Sequence, residues 1–293
     1  MLPSHTQRFI LLAAILVGTP TWWWLAGRMP PGDGLSGWSL TDSGPGLWVG
    51  VALVLLGALP ALAAAGFAAG AGNPISAVWA MALAGLIANH SNSFIDVARR
   101  AADHGQAARL FNSLIFEVIV GTAALAISFA TLQAISHWWA KRIPKRLRTT
   151  HLGGEVNLLC VNSVALGAGL ITAAVGWVLT TALVRSGDPE QVVGGLVLAF
   201  TIAALVGHAV APNHRPLPTL LAPAVVAIAG YLWAQRSLGL ADNPDALLTA
   251  WYARDFPAAA RGLPLHYLTA GVLGCTIGLG VGQVFEKTKR SVA

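Results

Sequence analysis

Charge is scarce in this chain. Only 10% of its 293 residues are Asp, Glu, Lys or Arg, against about 25% in an ordinary soluble domain. So little charge cannot cover a water-facing surface, which argues against a free-standing soluble protein. Cysteine is rarer still: Cys160 and Cys275 are the only two, each inside an apolar stretch. Without a CxxC or a set of spaced pairs, a disulfide scaffold and a thiolate metal site gain no support. Long polar segments are missing as well. The longest, residues 235–264, is too short to fold as a module of its own. Catalytic signatures are missing too: there is no Walker A loop, HExxH, GxSG, pair of intramembrane acids or acidic cluster. Nothing therefore argues for an enzyme, a resident metal or a cofactor.

Hydrophobic residues make up 55% of the sequence, and they come in eight runs: Phe9–Gly27, Leu47–Gly70, Ile75–Asn89, Phe111–Ile135, Leu158–Leu183, Val192–Val210, Leu217–Ala234 and Leu265–Val284. A bilayer core about 30 Å thick needs roughly 20 mostly apolar helical residues per crossing. The expected fold is all-α, a polytopic transmembrane helical bundle of about eight spans. It forms one integral membrane domain over residues 1–293, whose first partner is the lipid bilayer. Arg8 precedes the first run as in a signal peptide. Thr19-Pro20-Thr21 and the tryptophans Trp22, Trp23 and Trp24 follow without a small-x-small cleavage site, so an uncleaved span is expected. Ile75–Asn89 is short, reaching only about 22 Å as a helix. A re-entrant segment, leaving seven crossings, is the alternative; Asn73-Pro74 and the close-packing pair Ala80 and Ala84 favour a crossing.

With eight spans both ends lie on one side. That side carries ten Lys and Arg, namely Arg8, five in the run 141–148, Arg215 and the tail residues Lys287, Lys289 and Arg290. The other side carries eight, mixed with nine acids. Basic clusters next to span ends mark the cytoplasmic face, so both termini are expected in the cytoplasm and the protein in a bacterial-type cytoplasmic (inner) membrane. The net charge of +6 is explained by these clusters, and nucleic acid is not an expected partner. Trp22–Trp24, Trp48, Trp177 and Trp233 fall at outer span ends and Trp138 and Trp139 at an inner one, as an interfacial belt requires.

The two halves, 1–150 and 151–293, are faintly alike. Asp103 with Ala107-Ala108-Arg109 precedes the fourth span, and Asp255 with Ala259-Ala260-Arg261 precedes the eighth, at a common offset of 152 residues. A true repeat would be a parallel 4+4 arrangement, a pattern found among transporters. Ala-rich sequence also produces such matches readily.

Glu117 is the one acid well inside a span. Ionisable residues there are costly and usually functional. Ser113, Glu117, Gly121, Ala124 and Ser128 share one helical face, which should point to protein or a cavity. Two readings of Glu117 stay open: a hydrogen-bonded glutamate holding helices together, or a group that binds an ion, proton or substrate. A second stripe, Asn162, Ala165, Gly169, Thr172 and Gly176, runs along the fifth span. Gly274, Gly278 and Gly282 form a GxxxGxxxG face for helix packing. The histidines are scattered; His90 and His266, both at outer ends, are the pair nearest in depth. Candidate transport or binding residues are thus Glu117, Ser113, Asn162 and His90. Two outer connectors look helical, one opened by a capping box of Ser93 and Asp96, the other by Asn243-Pro244, each with a solvated face.

The functional expectation is a small-solute or ion transporter or channel-like protein. The alternative is a non-catalytic structural or assembly subunit of a membrane complex, with a homo-oligomer or a membrane-protein partner.

Overall fold

The computed structural model describes residues 93–142, 161–212, 215–239 and 246–292, with a few positions in 12–20 and 78–87. No strand occurs among them. The helices are α1 (Phe94–Asp103), α2 (Ala107–Arg142), α3 (Ser163–Leu183), α4 (Pro189–Val210), α5 (Leu217–Leu238) and α6 (Ala246–Tyr252). A single 3₁₀ turn, Ala258–Ala260, follows. The final helix, α7, starts at Pro264–His266, passes through a π turn at Tyr267–Gly271 and continues as Val272–Val292.

Local chemistry sets the ends. The Asn162 side chain caps α3 by accepting from the Ala165 amide at 2.8 Å. Pro189 opens α4, with Glu190 in its first turn, where the helix dipole favours an acid. Gly239 closes α5 at φ +57°, a conformation an L-residue adopts at a cost. A tight turn through Gly105, with the Gln106 amide on the Ala101 carbonyl at 2.6 Å, leads from α1 into α2.

Among the described residues five helices are long and apolar enough to cross a membrane: Ala107–Ile135 within α2, then α3, α4, α5 and Pro264–Phe285 of α7. They correspond to the last five expected spans. The first three, Phe9–Gly27, Leu47–Gly70 and Ile75–Asn89, lie outside the continuously described residues. Several helices run a few residues beyond the expected bounds, at Ala107, Pro189 and Leu238, and one is shortened: Val161 and Asn162 are not helical, so the fifth expected span begins at Ser163 rather than Leu158. Asn162 therefore caps that helix instead of opening its polar stripe.

The helices alternate in direction. The start of α2, end of α3, start of α4, end of α5 and start of α7 meet at one end, with α1, α6 and the 3₁₀ turn laid across it. Around the bundle α2 packs on α5, α5 on α3, α3 on α4 and α4 on α7; α7 closes the circuit against α5 and α2. On α3 what faces inward is small, Ala165, Ala168, Gly169, Thr172 and Gly176, and on α4 Ala199, Ala203 and Ala204 lie inward beside the larger Leu196 and Phe200. What faces outward is large and apolar, including Ile119, Ile127, Leu170, Val178, Leu198 and Trp233. A water-soluble bundle would carry polar and charged side chains on that outer face. Small residues let backbones approach, and outward leucine and valine suit hydrocarbon, the pattern of membrane helices.

Candidate functional site

Glu117 is 2% exposed. It lies on the face of α2 that meets α5 and the start of α7. One turn further along, Gly121 leaves room for Leu268 of the π turn; a Cβ there would run into the Leu268 side chain. Ser113, one turn before, is half-buried on the same face, and Ser128, further down the stripe, is buried. The stripe read from the sequence thus points inward along its length.

Two tyrosines stand near it. Tyr231 of α5 and Tyr267 of α7 are both fully buried, and Tyr231 lies within electrostatic range of Glu117 and Tyr267. Each hydroxyl donates to a main-chain carbonyl: Tyr231 to Gly262 at 2.5 Å and Tyr267 to Ala259 at 2.6 Å. Their protons are directed at the 258–262 segment, which leaves oxygen lone pairs for other donors. Beside them His266 is buried, its Nδ1 accepting the Leu263 amide at 3.3 Å. That bond requires Nδ1 to be unprotonated, so a neutral His266 carries its proton on Nε2. Thr269, in the π turn, donates to the Leu265 carbonyl at 2.6 Å. The buried oxygens near the Glu117 carboxyl are therefore the two phenols, while the Thr269 side chain lies against Gly85.

Aromatic rings roof this region. Phe94 stacks on Phe111 and Trp251, Phe256 packs against all three, and Phe111 lies 6.1 Å from Tyr231. Because Phe94 comes from α1 and Trp251 from α6, the two connectors close one face over the bundle end, while Arg99, Asp103 and Tyr252 keep the expected exposed face. Arg100 shows this most clearly: on a face expected to be wet, it is 4% exposed. Ser93 does precede α1 as expected, but its side chain makes no capping bond. The expected capping box is therefore not formed.

Arg261 ties this cap down. Its guanidinium donates to the carbonyls of Arg185, Val184 (3.5 Å) and Phe256 (3.0 Å), joining the 256–262 segment to the turn between α3 and α4. Burial holds its pKa below the usual arginine value. On the rim, Arg99 donates to the Tyr252 hydroxyl at 2.7 Å, which raises the Arg99 pKa, and Gln235 donates to Asn112 at 3.2 Å.

The other sequence candidates lie elsewhere. Asn162 is exposed at the opposite end of the bundle from the start of α2. His90 lies outside the described residues. His208 is buried on α4 against Gly282, in the half of the bundle away from His266. Among the described residues no three metal-ligating side chains come together. Gly274 and Gly278 face the carbonyls of Val197 and Thr201 on α4, and Gly282 faces the His208 ring. Sequence reasoning passed over Tyr231 and Tyr267. Their signal was position: tyrosines set within spans, where a hydroxyl needs a partner.

Comparison of the whole chain with protein-family models, with curated proteins and with solved structures found no match.

Proposed function

We propose that this chain is an eight-span protein of a bacterial-type cytoplasmic membrane that moves a small solute or ion. In this reading Glu117 takes up and releases the coupling proton or cation, with Ser113 beside it on the same face. The observation that carries it is the burial of the Glu117 carboxyl within an apolar span, on the face of α2 toward α5 and α7, where two buried phenol oxygens lie. Packing alone does not call for an ionisable group there, since an apolar side chain of similar volume would fill the space without the desolvation cost. The acceptors favour a proton or small cation over an anion. His90 remains a candidate at the outer side of the third expected span.

Two features support the finer topology. The end carrying Arg142, Arg215 and the tail lies opposite the mixed-charge cap, as it would with both termini cytoplasmic. A short connector helix, a turn and a long span occur twice, as α1 into α2 and as α6 into α7. That recurrence favours the parallel 4+4 repeat; at the 152-residue offset Glu117 falls opposite Thr269 of the π turn.

A second reading, a structural or assembly subunit, is favoured by the glycine face of α7 seated on α4 backbone. Extraction in mild detergent followed by native mass spectrometry separates the two. Transport by this chain predicts the protein alone or as copies of itself, with lipid. A stoichiometric second protein would favour the subunit reading.

A further inference from the structure

Pro223 stands inside α5. Proline has no amide proton, so the carbonyl four residues earlier, that of Thr219, loses its helical donor. The thiol of Cys275 on α7 donates to that carbonyl at 3.2 Å. One turn back along α7, Gly271 makes room for the Pro223 ring; a Cβ there would stand 2.6 Å from the proline Cβ. Gly271 also ends the π turn, Tyr267–Gly271, where α7 departs from the regular α-helical bonding pattern. Two neighbouring antiparallel helices therefore carry breaks in their hydrogen-bond ladders at the same level.

The parts on either side of these breaks are fastened differently: beyond the π turn α7 sits glycine to backbone on α4, whereas at and above it α7 meets α4 through side chains, with Tyr267 edge-on to Phe200 at 6.5 Å. Toward the cap, α5 and α7 are joined through the 258–262 segment. Tyr231 donates to Gly262, Tyr267 donates to Ala259, and Gly230 lies against the Ala259 backbone. Beyond the π turn, α7 is seated on α4 through Gly274, Gly278 and Gly282. Kinks at proline and π turns are recognised points of helix bending. Arg261 links the cap-side unit to the α3–α4 turn through bonds to the main-chain carbonyls of Val184 and Arg185.

We propose that α5 and α7 form a paired hinge at Pro223 and Tyr267–Gly271. The cap-side halves of both helices move together relative to the α4-bound half of α7, and the Cys275 thiol latches the closed arrangement by occupying the carbonyl that Pro223 leaves open. Leu268 of the π turn rests in the space at Gly121, one turn from Glu117, so the motion changes the packing beside that carboxyl. The hinge stands on helix geometry and holds whether or not the protein transports anything.

The test is a pulsed-dipolar distance measurement on the full chain in lipid nanodiscs. Spin labels are attached through genetically encoded ketone residues at the exposed positions Trp233 and Val284, which leaves the native cysteines untouched. The native chain should give one dominant distance. Cys275→Ala should add a second population at the expense of the first, and Cys275→Ser, which keeps a donor, should restore the native distribution. Pro223→Ala, which returns an amide to the ladder, should abolish the second population in the Cys275→Ala background. An unchanged single distance in Cys275→Ala, or the same shift in Ala and Ser, overturns the latch. Persistence of the second population with Pro223→Ala overturns the hinge. If Pro223→Ala does not fold, the Ala and Ser pair still decides the latch.

Discussion

The Cys275 thiol hydrogen-bonds the Thr219 carbonyl, the acceptor whose helical donor Pro223 removes. One helix thus supplies from its side chain what its neighbour lacks in its backbone. Buried carbonyls are rarely left unsatisfied, and a fully buried thiol is one of few donors that suit an apolar interior.

Stability should register that bond. Cys275→Val leaves the Thr219 carbonyl without this donor, with an expected loss of about 1–2 kcal/mol, the lower part of the range for an unsatisfied buried acceptor because a thiol donates weakly. Cys275→Ser should lose less. Thermal unfolding in one detergent, read by near-UV circular dichroism, compares the two; equal losses would mean that volume and not the donor matters.

The glycines of α7 should differ sharply among themselves. An added Cβ at Gly278 meets the Thr201 carbonyl, whereas at Gly280 nothing lies within 4 Å. Gly278→Ala is expected to lose about 1–3 kcal/mol through overpacking. Gly280→Ala should be neutral or stabilise by up to about 1 kcal/mol through helix propensity. Matched unfolding curves for the two variants check this, and similar losses at both positions would speak against the α4–α7 contact.

Arg261 holds three carbonyls with one planar fork. Arg261→Lys should behave like Arg261→Ala, because a single ammonium cannot reproduce that geometry. In both variants, amide exchange across residues 253–262 should quicken by about tenfold or more, as loss of roughly 1.4 kcal/mol of local protection implies. The far ends of α4 and α5 should be unaffected. Full protection in the lysine variant would reduce Arg261 to a simple charge.

Much of this was legible beforehand. The last five spans were visible because a crossing helix needs a long apolar run, and length and composition are local properties. The inward direction of the Glu117 stripe followed from helical periodicity, since Ser113, Gly121 and Ser128 would gain nothing from facing lipid. What was hidden depends on helices distant in sequence meeting in space. The burial of Arg100 needs α6 and the 256–262 segment beside α1. The pairing of Tyr231 with Gly262 and of Tyr267 with Ala259 needs α5 and α7 antiparallel. Asn162 was misplaced for a simpler reason: an asparagine before a small-residue run reads equally well as first stripe member or cap, and only the backbone at 161–162 decides.

Reporter fusions check the threading. Positions 72 and 145 should report as cytoplasmic and position 100 as extracytoplasmic if there are eight spans with basic clusters inside. An extracytoplasmic signal at 72 would instead indicate a re-entrant segment at 75–89 and seven crossings.

Proton flux through purified protein in liposomes bears most directly on Glu117. An imposed potassium-diffusion potential drives uptake and an entrapped pH dye reports it. Native protein should acidify the lumen faster than empty liposomes, and Glu117→Gln, equally folded by circular dichroism and size-exclusion profile, should lower that rate by about tenfold or more, in the range of losing a positioned proton-transfer group. Equal rates for native and Glu117→Gln liposomes would contradict proton movement through Glu117, and loss of folding in the variant would make Glu117 a structural tie between α2, α5 and α7.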